Sequence, residues 1–276
     1  MANKNINEMS FLDHLEDLRW HLIRATLGIV VAATIAAIFY KFIFDVIIFG
    51  PTKMDFPTYN GLCQVSKLLG IDDTTFCADK FPFKIQNRTV AGQFSAHIWT
   101  SIYAGFIVAF PYVLYQLWSF ISPGLRDNER KSSRGFLVVA SLLFFTGVLF
   151  GYYIITPLSI NFLANYQISE LISNEFDISS IIAIVRSSAI ASGFVFELPI
   201  LIYFLTKIGM VTPKFLRKYR KYALVIVLIL SAVITPPDIA SQVIVAIPIL
   251  ILYQISIYIS AVVVKNQSRS VGSKQK

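Results

Sequence analysis

Charge is scarce in this chain. Of its 276 residues only 14% are Asp, Glu, Lys or Arg, against about 25% in a typical soluble domain. That shortage excludes a water-soluble protein of this length. Cysteine is scarcer still: there are two, Cys63 and Cys77, both in one polar loop that holds no histidine. A zinc site there lacks its ligands. His14, His21 and His97 show no ligand spacing with Cys, Asp or Glu, so no metal is expected. No Walker loop, nucleophile elbow or HExxH occurs, which leaves an enzyme or a cofactor site without residues to build it. The first apolar run follows about twenty polar or amphipathic residues rather than a short basic head, so no cleavable signal pattern is present. The net charge of +8 does not point to nucleic acid, because no loop is long enough for a reading module.

Apolar residues are abundant instead, at 55%, with a mean hydropathy of +0.65. Several runs approach the roughly 20 residues that span hydrocarbon. The expected fold is all-α and polytopic: a single integral membrane domain over 1–276 with six transmembrane helices at about 20–40, 90–120, 135–158, 178–206, 222–234 and 239–264. Ser10–Ile23 reads as an amphipathic helix, with Phe11, Leu15, Leu18 and Leu22 on one face, that lies on the membrane surface and runs into the first span. The first span has a possible extension to Phe49. Residues 51–89 form a long, nearly neutral polar loop. Pro111 lies inside the second span and predicts a kink. The fifth span, at about 20 Å of helix, is short for a core of about 30 Å. Short fifth and sixth spans and tilted neighbours predict a concave, cup-like bundle. Residues 265–276 form a basic tail, expected to be disordered.

Basic residues set the orientation. The 121–134 loop holds four and the 207–221 loop six, while residues 159–177 hold none. Lys4, Arg19, Arg24 and the tail fall on the same side as the two basic loops. By the positive-inside rule both termini are cytoplasmic. The Cys63–Cys77 loop is then extracytoplasmic, where a disulfide is permitted; two free thiols are the other reading.

The stretch Phe110–Lys131 passes from an apolar helix through Tyr112, Tyr115, Trp118 and Phe120 to Ser122-Pro123-Gly124 and a dense charge cluster. This is how a helix leaves a bilayer. The cytoplasmic face then carries acids among bases: Asp13, Glu16 and Asp17 near the N-terminus, Asp127 and Glu129 in the loop. They are either solvated charge balancing nearby arginines or a patch that holds guanidinium groups. Glu197 lies near mid-membrane, where a carboxyl is costly and marks a site or a bond that holds the bundle together. Pro199 beside it frees a carbonyl near Val195. Asp238 either caps the sixth helix, the ordinary role of an Asp at a helix N-terminus, or pairs with a basic group at the outer face.

Four of these motifs carry a resemblance. Phe11-Leu-Asp-His-Leu-Glu-Asp-Leu-Arg19 resembles the N-terminal HLxELR motif of the TatC family, the core subunit of the twin-arginine protein translocase. Pro111 to Arg130 is similar to that family's second-span and loop signature. Phe194-Val-Phe-Glu197-Leu-Pro199 resembles its fourth-span element, and Thr235-Pro236-Pro237-Asp238 with Gln242 its TPPD turn. The resemblance implies a receptor in the bacterial inner membrane that binds twin-arginine signal peptides of folded proteins through Asp17 and Glu129, with Arg19 as the motif arginine. The first acid is Asp where the family usually has Glu. The resemblance also implies that Glu197, with Pro199, meets small single-span subunits of the TatA and TatB type in a multimeric complex among membrane lipids. An ion-coupled secondary transporter using Glu197 is the competing class, although no internal repeat is evident.

Overall fold

The structure is a computed structural model and describes residues 11–68, 77, 81–121, 133–169, 171–235 and 238–272. The chain divides into two compact units, one of residues 1–47 and 87–142, the other of residues 48–86 and 143–276.

In the first unit, helix α1 (Phe11–Ile38) is continuous for 28 residues. The amphipathic stretch and the first span are therefore one helix rather than a surface helix joined to a span. No proline interrupts it, and Thr26 and Thr34 satisfy their hydroxyls on the carbonyls of Leu22 and Val30, as a helix in hydrocarbon requires. After Ile38 the chain makes a helical turn at Tyr40–Phe42 and a π-helical stretch at Ile43–Ile48. Where α1 ends, His97 Nε2 donates to the Ala37 carbonyl at 3.1 Å, and its ring lies 5.0 Å from that of Tyr40.

The described residues of the 51–89 loop include helix α2 (Pro57–Leu68) and strand β1 (Lys84–Gln86). Helix α3 (Gly92–Ile121) is continuous for 30 residues across Pro111. Proline removes one donor, the one that would meet the Ile107 carbonyl, and a long helix survives that loss. α3 packs closely on α1 because the contact uses glycine. A Cβ at Gly105 would lie 2.6 Å from Ala33 Cα, and one at Gly28 would lie 2.6 Å from the Tyr112 ring. Small residues that let backbones approach are the usual means of packing helices in lipid.

Helix α4 (Ser133–Phe150) continues through a π-helical stretch, Gly151–Ile155, into α5 (Thr156–Asn165). The third span therefore reaches Asn165 rather than ending near residue 158. Pro157 falls in the first turn of α5, where its missing N–H costs little. Strand β2 (Glu175–Asp177) pairs in parallel with β1, Ile85 opposite Phe176, a strand pair absent from the all-helical expectation. Asp177 then caps helix α6 (Ile178–Phe196) by accepting from the Ser179 N–H at 2.9 Å.

Helix α7 (Leu198–Lys207) completes the fourth span. Helices α8 (Pro213–Lys218), α9 (Arg220–Ile234) and α10 (Ile239–Gly272) follow. Among the described residues five helical stretches are long and apolar enough to cross a membrane: 15–38, 92–121, 135–165, 178–207 and 241–267. The fifth predicted segment is the 15-residue helix α9, short as expected. The sixth is not short: α10 is 34 residues long and continues to Gly272. It incorporates much of the tail expected to be disordered, because nothing between Lys265 and Ser270 breaks a helix. Gln267 also donates to the Lys207 carbonyl at 3.0 Å. Ile155, Val227, Val245, Ala246 and Ile249 form one apolar core cluster of the second unit.

Candidate functional site

Asp17 sits one turn before His21 on α1. Its side chain is 44% exposed, that of His21 13%, and Oδ1 lies 3.9 Å from His21 Nε2. The imidazole is oriented from the other side. His21 Nδ1–H donates to Gln116 Oε1 at 2.8 Å, and Gln116 is buried in α3. That bond directs Nε2 toward the Asp17 carboxylate, so the imidazole is available as a counterion when protonated. The Phe120 ring lies 6.3 Å from His21. The Asp17 side chain thus remains open to solvent in part, and an open carboxylate beside a fixed partner can accept an additional charged donor.

Arg19 is exposed on the same helix. It edges a shallow trough of about 560 Å³ whose other walls, Leu15, Leu18, Leu22, Ile23, Leu27 and Val30, are apolar apart from Thr26. Glu129 and Pro236 lie outside the described residues, as does the whole 122–132 loop. The structure thus brings Asp17 together with His21 and Gln116. Neither of these two was singled out as a site residue from sequence. The i,i+4 spacing of Asp17 and His21 was a visible signal for one of them. Gln116 offered only a polar side chain inside an aromatic band.

Glu197 occupies the junction of α6 and α7 in the second unit. Its N–H bonds to the Phe194 carbonyl at 3.1 Å, and its own carbonyl accepts from Ile200 and Leu201, each at 3.0 Å. The helix is re-initiated there because Pro199 stands in the first turn of α7. Glu197 Oε1 is buried and has no hydrogen-bond partner among the described residues. A buried carboxyl oxygen of this kind can accept a bond from a polar group brought by another helix, or carry a proton itself.

Asp238 and Gln242 act at the start of α10. Asp238 Oδ2 accepts from the Ser241 N–H at 2.8 Å and the Ser241 hydroxyl at 2.7 Å. Gln242 Nε2 donates to the Leu228 carbonyl of α9 at 3.0 Å. Cys63 and Cys77 are joined in a disulfide.

The family model for Sec-independent protein translocase protein (TatC) matches residues 13–248. The chain belongs to the TatC family. It is 45% identical over 261 residues to the Sec-independent protein translocase protein TatC of a Blattabacterium species, covering 95% of this chain and 98% of that one. It is 32% identical over 271 residues to TatCy of Bacillus subtilis, covering 98% and 96%. A crystal structure of the twin arginine translocase receptor TatC superposes with a TM-score of 0.66 at 30% identity, over 91% of this chain and 99% of that one. A second, in DDM, gives 0.69 at 32% identity, over 90% and 99%. As a TatC-family chain with several apolar spans, it is a membrane-embedded component of a protein translocase.

Proposed function

We propose that this chain is the receptor subunit of a twin-arginine translocase. It binds the paired arginines of signal peptides on folded proteins at the cytoplasmic face of a bacterial inner membrane, with both termini cytoplasmic. The carrying observation is the partly open Asp17 side chain, held beside His21 at the position where the family motif has its acid. Glu129 supplies the second carboxylate in this reading, and two carboxylates match two guanidinium groups by charge and by bidentate geometry. Glu197, with its unpaired oxygen at the Pro199 turn, is where the polar residue of a single-span partner subunit docks. Membership of the TatC family favours this reading over an ion-coupled transporter.

Photocrosslinkers placed at positions 17 and 129 test it. A twin-arginine precursor should crosslink from both, and the adduct should disappear when its arginine pair is replaced by glutamines. Asp17→Ala combined with Glu129→Ala should abolish export of a twin-arginine reporter while the chain still inserts in the membrane. Normal export by that double variant removes the assignment. Glu197→Ala should keep signal-peptide crosslinking and change the crosslinks to partner helices; an unchanged pattern makes Glu197 a structural residue only.

A further inference from the structure

The second unit carries a concentration of positive charge that the receptor reading does not use. Lys214, Arg217, Lys218, Arg220 and Lys221 fall within eight positions, and no acid occurs from Leu198 to Ile234. All five side chains are exposed. Among the described residues none of them has a carboxylate partner; Lys218 instead lies 5.7 Å from the centre of the Tyr219 ring.

The segment is built rather than loose. Thr212 caps α8 by accepting from the Phe215 N–H. Leu216 is buried against Ile202 and Ile257, and its carbonyl accepts from the Tyr253 hydroxyl of α10 at 2.9 Å. With Leu216 pinned inward, the cations of α8 face outward in fixed positions. Exposed aromatic rings are interleaved with them. Phe215 and Tyr219 have centroids 4.5 Å apart, and Tyr219 and Tyr222 5.8 Å. Rings of this type favour the headgroup level of a bilayer. The depth is set by α9, which begins at Arg220 and has 15 residues. At 1.5 Å per residue it is about 22 Å long, against a hydrocarbon core of about 30 Å. A helix this short draws its terminal cations in to the level of the lipid phosphates.

We infer that the segment Lys214–Tyr222 is a binding site for anionic phospholipids, with Arg217, Lys218, Arg220 and Lys221 holding the headgroup phosphate and the Phe215–Tyr219–Tyr222 rings seating it at the interface. Charge that serves topology alone needs no fixed geometry and distinguishes no lipid once the chain is inserted. This segment has both fixed geometry and a depth matched to phosphate. A cationic signal peptide is repelled from it, and the flanking spans keep it against the bilayer.

The test uses the full-length chain purified in maltoside micelles, with bound lipid counted by native mass spectrometry. Phosphatidylglycerol should bind saturably and phosphatidylcholine of the same acyl chains should not. Arg217→Gln with Lys218→Gln, and separately Arg220→Gln with Lys221→Gln, should each weaken phosphatidylglycerol binding, by about fivefold per neutralised cation. Lys53→Gln with Lys67→Gln, at exposed positions ahead of α2 and in its last turn, should leave it unchanged. Millimolar inorganic phosphate should not displace the lipid. Unfolding midpoints measured without lipid should match the parent. If one pair fails to fold, the other decides. Equal binding of the two lipids, an equal loss in the Lys53 and Lys67 control, or displacement by phosphate overturns the proposal.

Discussion

His21 on α1 donates its Nδ1–H to Gln116 Oε1 on α3 across 2.8 Å, joining residues 95 positions apart. Gln116 is 5% exposed, so the acceptor is withdrawn from solvent. Replacing it with Leu should leave the imidazole N–H unpaired and cost roughly 1–2 kcal/mol. It should also free the ring that faces Asp17. A lowered unfolding midpoint in detergent, together with weaker crosslinking of a twin-arginine peptide from position 17, is the expected outcome. An unchanged midpoint would mean that α1 and α3 are held by apolar packing alone.

Glycine packing between the same helices makes a second, independent prediction. A Cβ at Gly105 would lie 2.6 Å from Ala33 Cα, whereas one at Gly61 in α2 would meet nothing within 4 Å. Gly105→Ala must therefore push α1 and α3 apart, at a cost of roughly 1–3 kcal/mol. Gly61→Ala, in an open helical position, should stabilise by about 0.5–1 kcal/mol. Thermal unfolding of the two variants should move in opposite directions. Movement in the same direction would contradict the close approach of the two backbones.

These contacts mark the limit of what the sequence conveys. Spans are legible because runs such as Leu15–Ile38 and Gly92–Ile121 contain too little charge for any other solvent. The short α9 is legible from the distance between Lys221 and Thr235. Segment ends are less so. Pro157 reads as a terminator, yet the π-helical stretch before it lets the chain continue to Asn165. The bland composition after Lys265 reads as a tail, yet it propagates α10. Among the site residues, the chemistry of Asp17 and Glu197 is evident from charge placed beside or within apolar runs. What orients them is not. Gln116 matters only because α3 brings it to His21, and no local pattern encodes that meeting.

The disulfide between Cys63 and Cys77 closes a sequence separation of 14 residues, from α2 to a position ahead of β1. Constraining a loop of this size in the unfolded chain contributes about 3 kcal/mol. Cys63→Ser with Cys77→Ser should lower the unfolding midpoint, and dithiothreitol should lower that of the parent while leaving the double variant where it is. A parent insensitive to reductant would show that α2 is held by its docking contacts alone.

Those docking contacts centre on Thr58 and Tyr59. Thr58 Oγ1 donates to the Tyr153 carbonyl, four residues before Pro157, where proline supplies no N–H. The Tyr59 hydroxyl is shared between the carbonyls of Pro51 at 2.9 Å and Pro157 at 3.0 Å, and its side chain is fully buried. Burial raises the phenol above its usual value because the phenolate is poorly solvated there. The folded state therefore holds this proton more tightly than the unfolded one. The contribution of Tyr59 is fully present below the ordinary phenol value of about 10 and declines as pH rises beyond it. Tyr59→Phe should cost roughly 1–2 kcal/mol at neutral pH, since two buried carbonyls lose a donor. Above pH ~10 the parent should lose stability more steeply than the variant, and the two unfolding midpoints should converge. Parallel pH profiles would mean that the alkaline loss arises at other tyrosines and that the Tyr59 hydroxyl ionises without disturbing the junction it holds.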